Sequence, residues 1–405
     1  MAGLGWIDFS NEHRDRVFSV VDLLKADSTV DELGIGTVRD AIADWLFPGV
    51  STIQTRPKYF ILIPQLLRSY LQESTKKQKL KKLVHYLSDE EDNLMNALAN
   101  KYRGKKGKGV IGINVSRKNG ELKRKPSSIY WNGLKVHGII ESPFSLSEYL
   151  QKNDLSEIES EGHQEELDDS SILWVDNFGI KIPRLAEINL EEVKMDLTEK
   201  EAKYLKDQFL TTDGTTKHEG NLLSQILKSE DRINIILKAE NFQVLASELL
   251  KDKSLNGETK KILRIALDFD FLMHGAHIRY NIQLHQRAGV KDFRGNWEYW
   301  LKELNDKRNE LNEFDFDYIF KNIATRTKAR SQIFMKTWKD EVLKESIDIE
   351  KVDQLVRNQE IRIKGSRAKL TSSSGEYTKW IGIEGLQYRF NQAKNIIKDI
   401  NTANA

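Results

Sequence analysis

Apolar residues recur at helical spacing over much of the chain. Val17, Val20, Val21 and Leu24 follow Ser10 in this way, and Val38, Ala41, Ile42, Trp45 and Leu46 follow Thr37, so two amphipathic helices are expected near the start. Pro48 and Gly49 end the second. The unbroken run Tyr59-Phe-Ile-Leu-Ile63 fits a buried strand or the start of a helix through Tyr70, and its pattern does not separate the two. A charged helical pattern from Lys76 to Tyr102 runs into the glycine-lysine loop Arg103 to Gly109. Ile111 to Val115 and Gly120 to Lys125 then flank a turn at 118–120 and read as a hairpin, followed by a short helix over Ser127 to His137. Short helices interleaved with a basic hairpin are the pattern of a winged-helix domain, one that many small α+β modules share.

Ile172 to Val175 and Gly179 to Ile182 read as strands. After them helices dominate, starting at the capping box Thr198-Glu-Lys-Glu201. A long helix begins near Thr259 and is stopped by Gly289. Thr371 to Gly375 is expected to be a flexible connector before a last helix, Leu386 to Ile400. The expected fold class is mainly α with small β hairpins (α+β), with a winged-helix-like N-terminal region and a helical C-terminal domain. Eight acids without a Lys or Arg between Asp154 and Asp169 mark the expected boundary, dividing the chain into 1–165 and 166–405.

Composition narrows the chemistry. At 405 residues, 39% apolar and 31% charged, the chain is of the globular class. The absence of cysteine excludes disulfides, thiolate metal sites and cysteine nucleophiles. No stretch is apolar enough to span a membrane, and Met1 to Ser10 lacks a signal-peptide pattern, so a cytoplasmic location is expected. The net charge of +2 is unremarkable, but its distribution is uneven. Lys101 to Lys125 holds ten Lys or Arg against Glu121 alone, enough to neutralise several phosphates of a nucleic acid. Lys105, Lys106, Lys108, Lys123, Arg124 and Lys125 are the candidate contacts, with Tyr130 and Trp131 behind them as stacking residues. Arg357, Arg362, Lys364, Arg367 and Lys369 form a second cluster, so that two basic loops could grip one duplex. The alternative for either is a solvated loop.

Two further groups carry candidate chemistry. The helix Leu263 to His285 is apolar nearly all round except for Asp270, His274, His277 and Asn281, which share one face. Such a stripe is a structural hydrogen-bond network, the wall of a site or, with a further ligand, a metal site. Gly275 would let another backbone or a ligand come close. Asp40 and Asp44 lie one turn apart beside Arg39, so one could act as an acid-base group; Asp40 could equally close a capping box with Thr37.

The run ELGIGTVRDAIADWLFPGVSTIQTRPKYFILIP from Glu32 to Pro64, HGAHIRYN from His274 to Asn281 and GLQYRFNQAKNIIKDI from Gly385 to Ile400 resemble a bacterial family recurrent in phage-defence loci. That family is similar to the antiviral Brig-type DNA glycosylases, which remove glucosylated hydroxymethylcytosine from phage genomes. Val38-Arg39-Asp40, followed by Arg56 and Tyr59, also resembles the Gln-x-Asp motif of tandem winged-helix alkylpurine glycosylases, although the glutamine is missing. The resemblance implies phage duplex DNA with modified bases as partner, base excision as activity, and no cofactor. Asp40 and Asp44 would stabilise the sugar cation or activate water, and His277 and Asn281 would orient groups or supply a proton. Arg39, Gln54, Arg56, Tyr59, Asp270 and His274 would line the pocket. The alternative is a DNA-binding subunit or modification reader without catalysis.

Overall fold

In the computed structural model the described residues are 31–72, 81–105, 108–113, 122, 124–155, 178–183, 188–212, 219–288, 293–371, 377 and 379–404. They are mainly helical. Among them the only β pairing is an isolated antiparallel bridge between Ile140 and Ile180, so Gly179 to Ile182 makes one bridge and no strand. The expected helix after Ser10, most of the expected hairpin, the strand 172–175 and the connector 372–375 lie outside the described residues. So does the expected boundary at 165.

The chain forms two compact units. Unit 1 comprises Met1–Ile42 and Ile265–Leu386, and unit 2 comprises Ala43–Arg264 and Gln387–Ala405. In chain order the helices that concern us are α1 (Gly36–Leu46), α2 (Tyr59–Gln72), α3 (Leu83–Lys101), α4 (Pro126–Val136), α5 (Leu146–Lys152), α6 (Glu199–Thr211), α7 (Leu222–Leu227), α8 (Glu230–Lys238), α9 (Phe242–Lys251) and α10 (Gly257–Ala288). They continue with α11 (Arg294–Asn312), α12 (Phe316–Asn322), α13 (Ala329–Val342), α14 (Ile349–Lys364) and α15 (Phe390–Asn404).

In unit 2 the ambiguous run at Tyr59 opens α2. All five of its residues are buried, so it carries no period of exposure that could have marked it as helical. Helix α2 packs on α3 and α4, and α6 packs on α15. Phe60 sits edge-on to Tyr130 at 4.9 Å and to Phe209 at 5.6 Å, joining α2, α4 and α6. Two buried carboxylates organise helix starts. Glu91 of α3 accepts from the Ser127 amide at 2.5 Å and its hydroxyl at 3.0 Å, capping α4, and burial raises its pKa to about 7. Glu201 completes the expected capping box of α6 with Thr198 and accepts two bonds from Lys58, at 2.6 and 2.7 Å.

Unit 1 is built on the C-terminal part of α10. Gly275 admits the Trp300 indole, which would lie 2.4 Å from a Cβ there, so the close approach is made by a core side chain. The Trp300 and Trp338 ring nitrogens donate to the Phe271 and Leu272 carbonyls, fixing α11 and α13 on α10. Beneath the end of α14, Lys364 is ion-paired with Glu32 and lies 3.1 Å from Glu360. Glu360 also accepts from the Tyr280 hydroxyl at 2.8 Å and from the Lys369 and Leu370 amides at 2.9 Å. Burial, and next the Lys369 charge, lower the Lys364 pKa to about 7, with the Glu32 and Glu360 carboxylates in contact with the amine.

Candidate nucleic-acid interface

In unit 2 the residues around Arg56 hold residues 108–111 of the first basic segment. The Thr55 hydroxyl donates to the Gly109 carbonyl at 2.6 Å, Arg56 donates to the Lys108 carbonyl at 3.2 Å, and the Tyr59 hydroxyl accepts from the Ile111 amide at 2.9 Å. Gly109 has φ +66°, and a Cβ on it would meet the Arg56 stem at 2.7 Å, so only glycine lets the segment lie this close. Arg56 is itself clamped by Asp399, and by Asp196 at 3.0 Å. Its burial opposes the charge, while these two carboxylates raise its pKa. Tyr130, fully buried, accepts from the Thr55 and Arg56 amides and donates to the Arg56 carbonyl.

Several expected roles therefore change. Tyr59 and Gln54 are buried; Gln54 donates to the Gly49 carbonyl at 2.9 Å and accepts from the Ser51 amide, closing the turn after α1. Arg56 is spent on two carboxylates and a carbonyl. Tyr130 and Trp131 are core residues, and the Trp131 indole donates to the Phe144 carbonyl. Of the expected phosphate contacts, Lys105 and Arg124 are exposed and Lys108 is half-buried, whereas Lys125 is ion-paired with Asp92. Lys106 and Lys123 lie outside the described residues.

The polar stripe of α10 holds a strap of chain in unit 1. Asn281 donates to the Ile381 carbonyl and accepts from the Ile381 amide, both at 2.8 Å, and donates to the His277 carbonyl one turn back. Asp270 accepts from the Leu386 amide at 2.7 Å. His274 stacks on Trp380 at 5.6 Å. His277, 1% exposed, donates from Nδ1 to the Met273 carbonyl at 2.8 Å, and its other edge faces Gly382. A Cβ on Gly382, at φ +87°, would lie 2.6 Å from that ring. Burial lowers the His277 pKa to about 4 and lowers that of His274. The stripe runs one turn further than its sequence suggested, because His285 bonds the Lys379 carbonyl at 3.1 Å. Asp270, Asn281 and the Nδ1 of His277 are thus engaged by protein backbone, as in the structural alternative of the three, while the buried Nε2 of His277 has no hydrogen-bond partner among the described residues. Among the described residues no group of three or more His, Asp or Glu is placed to hold a metal ion.

The two acids of α1 point elsewhere. Asp40 is exposed (52% of its side chain) and bonded to the neighbouring Arg39 at 2.9 Å. Thr37 lies inside α1, and the helix start is capped from outside by Asp31, which accepts from the Ile35 and Gly36 amides at 2.9 and 2.6 Å. Asp44 is bound by Arg389, which also donates to the Val50 carbonyl at 2.6 Å. Tyr388 and Arg389 have φ +45° and +66°, an uncommon pair for side-chain-bearing residues, and this turn delivers the guanidinium to Asp44 before α15 begins. Among the described residues Asp40 and Asn281 share no hydrogen-bond partner.

In the second basic cluster Lys364 is withdrawn from any surface role: 4% of its side chain is exposed, and its charge is consumed by Glu32 and Glu360. Arg362 and Arg367 are exposed, Arg367 in a 3-10 turn after α14, and Lys369 reaches Glu32 at 3.3 Å. No described helix is long and apolar enough to cross a membrane. Residues 1–403 match the family of unknown function DUF6361, and the chain belongs to that family. No curated protein and no solved structure matches it.

Proposed function

We propose that this member of DUF6361 binds duplex DNA and releases a bulky modified base, of the glucosylated hydroxymethylcytosine class, to leave an abasic site in phage DNA. The observation that carries the DNA partner is the anchoring of the basic segment in unit 2. Thr55, Arg56 and Tyr59 spend buried or partly buried hydrogen bonds on holding 108–111, while Lys105 and Arg124 are left exposed. A cationic segment held this way presents its charge to phosphates at a smaller ordering cost than a loose loop. The chemistry rests on the resemblance to Brig-type glycosylases. In it the base leaves with the electrons of its N-glycosidic bond, and water adds its oxygen to the sugar carbon and gives up a proton, which the departed base takes up. A carboxylate stabilises the cation between these events. Asp40 is the carboxylate best suited to that part, because its side chain is accessible and Arg39 orients it. Such a reaction acts on a nucleotide turned out of the stack.

One observation favours a second reading, a DNA-binding or modification-reading protein without turnover. Asp44, His277 and Asn281 are all engaged within the fold. Incubation of the full chain with duplex carrying glucosylated hydroxymethylcytosine, followed by mild alkali, separates the two. Strand breaks at modified positions, lost in Asp40→Asn with DNA binding and melting temperature retained, are the expected result. Binding without breaks in the wild type would establish the reader, and breaks undiminished in Asp40→Asn would remove Asp40 from the chemistry.

A further inference from the structure

Nothing in the sequence alone sets apart Arg326, Lys328 and Arg330 in a chain that is 31% charged. In unit 1 this segment leads into α13, and Arg330 donates to the Arg362 carbonyl at 3.2 Å, bringing the start of α13 to the end of α14. Arg330 is thereby brought against Arg362, with Arg326 and Lys328 a few positions before it in the chain and Arg367 five positions after Arg362. All five side chains are exposed, and none forms an ion pair with a described carboxylate. The contrast with other cations of the chain is plain, since Arg56, Lys58, Lys125, Arg279 and Arg389 each hold an acid. The start of α13 adds to the positive potential. Lys328 caps it in extended conformation without a side-chain bond, and no acid lies in its first turn.

Like charges collected on one surface repel one another, so the arrangement suits a partner with several negative charges in a row. We infer that Arg326, Lys328, Arg330, Arg362 and Arg367 form a phosphate-backbone binding surface of unit 1. The inference rests on the nucleic-acid reading above and extends it to Arg326, Lys328 and Arg330, which lie outside both basic segments read from sequence. Four of the five are arginine, whose planar fork meets two phosphate oxygens at once. A membrane-surface helix needs a broad apolar face. Helix α13 instead buries Phe334, Met335, Trp338 and Val342 in its core, leaving Ile333 exposed.

The test is the salt dependence of binding, which reads phosphate contacts without reference to catalysis. Binding of the full chain to a labelled, unmodified duplex is measured by anisotropy over a range of salt. Each phosphate contact contributes about 0.9 to the slope of log affinity against log salt, so R326A/K328A/R330A should flatten it by up to about 2.7. R326K/R330K should keep the slope, because it keeps the charge. R362A/R367A should flatten it by up to about 1.8, with melting temperatures close to wild type in all three. A wild-type slope in the triple variant would overturn this surface while leaving the nucleic-acid reading intact. A wild-type protein that binds no duplex would overturn both, and triple-variant-sensitive binding to anionic vesicles in preference to duplex would reassign the surface to membranes.

Discussion

The Arg56 region of unit 2 and the polar stripe of unit 1 invite comparison, because each reads from sequence as the wall of a pocket and each proves to be a clasp on another stretch of backbone. They clasp with different chemistry. The stripe holds its strap through one amide and one carboxylate aimed at main-chain groups, inside an apolar setting and under a glycine. The Arg56 region uses a guanidinium locked between two acids, and the segment it holds lies between the exposed Lys105 and Arg124 in the chain. Polar residues gathered on a buried helix face say that something is held there. Only the character of the held segment says whether a partner is involved.

Removing the charged clasp should cost most. In Arg56→Ala the partly buried Asp399 loses its cation, and the expected destabilisation is about 3–5 kcal/mol by denaturant unfolding. DNA affinity should fall as well, since the Lys108 carbonyl loses its donor. Unchanged stability would show that Asp196 and Asp399 are not held by this contact.

Acid tests the neutral clasp. Burial lowers His277 to about 4 from the ordinary 6.5, so between these values the unfolded chain takes up a proton that the native ring refuses. Its contribution is full above pH 6.5 and is lost as pH falls towards 4, by up to about 1.4 kcal/mol per pH unit. The sign is opposite for Glu91 in unit 2, whose pKa burial raises to about 7 from 4.5. There stability is lost as pH rises through that window. His277→Gln should flatten the acid limb of a stability–pH profile and Glu91→Gln the neutral one; profiles unaltered by either would detach both groups from the pH response.

Asn281→Ala should have the smallest effect, on the order of 1–3 kcal/mol, because it leaves the Ile381 amide and carbonyl without their partner. DNA binding should be unaffected. Loss of base release at wild-type stability would return Asn281 to the wall of an active site.

How far the sequence reveals this depends on where partners lie. The helix after Thr37, the long helix through the stripe and the capping box at Thr198 were legible because each is determined by neighbours a few positions away. Tyr59 to Ile63 was not, since a segment buried on every side has no polar face to give it a period. Lys364 looks like its neighbours Arg362 and Arg367 until Glu32, far off in the chain, is placed against it. The cluster at Arg326 gains meaning only through the contact of Arg330 with the end of α14, which no local pattern encodes. For the stripe, spacing identified the shared face but could not supply the identity of the strap.

The double duty of Glu201 has a consequence for how unit 2 breathes. One carboxylate closes the first turn of α6 and neutralises Lys58 just before α2, so neither helix start can open without stripping the other of its counter-charge. Amide exchange at Thr198 and at the first turn of α2 should therefore proceed as one cooperative event with a shared opening free energy, and Lys58→Met should let the two ends fray independently.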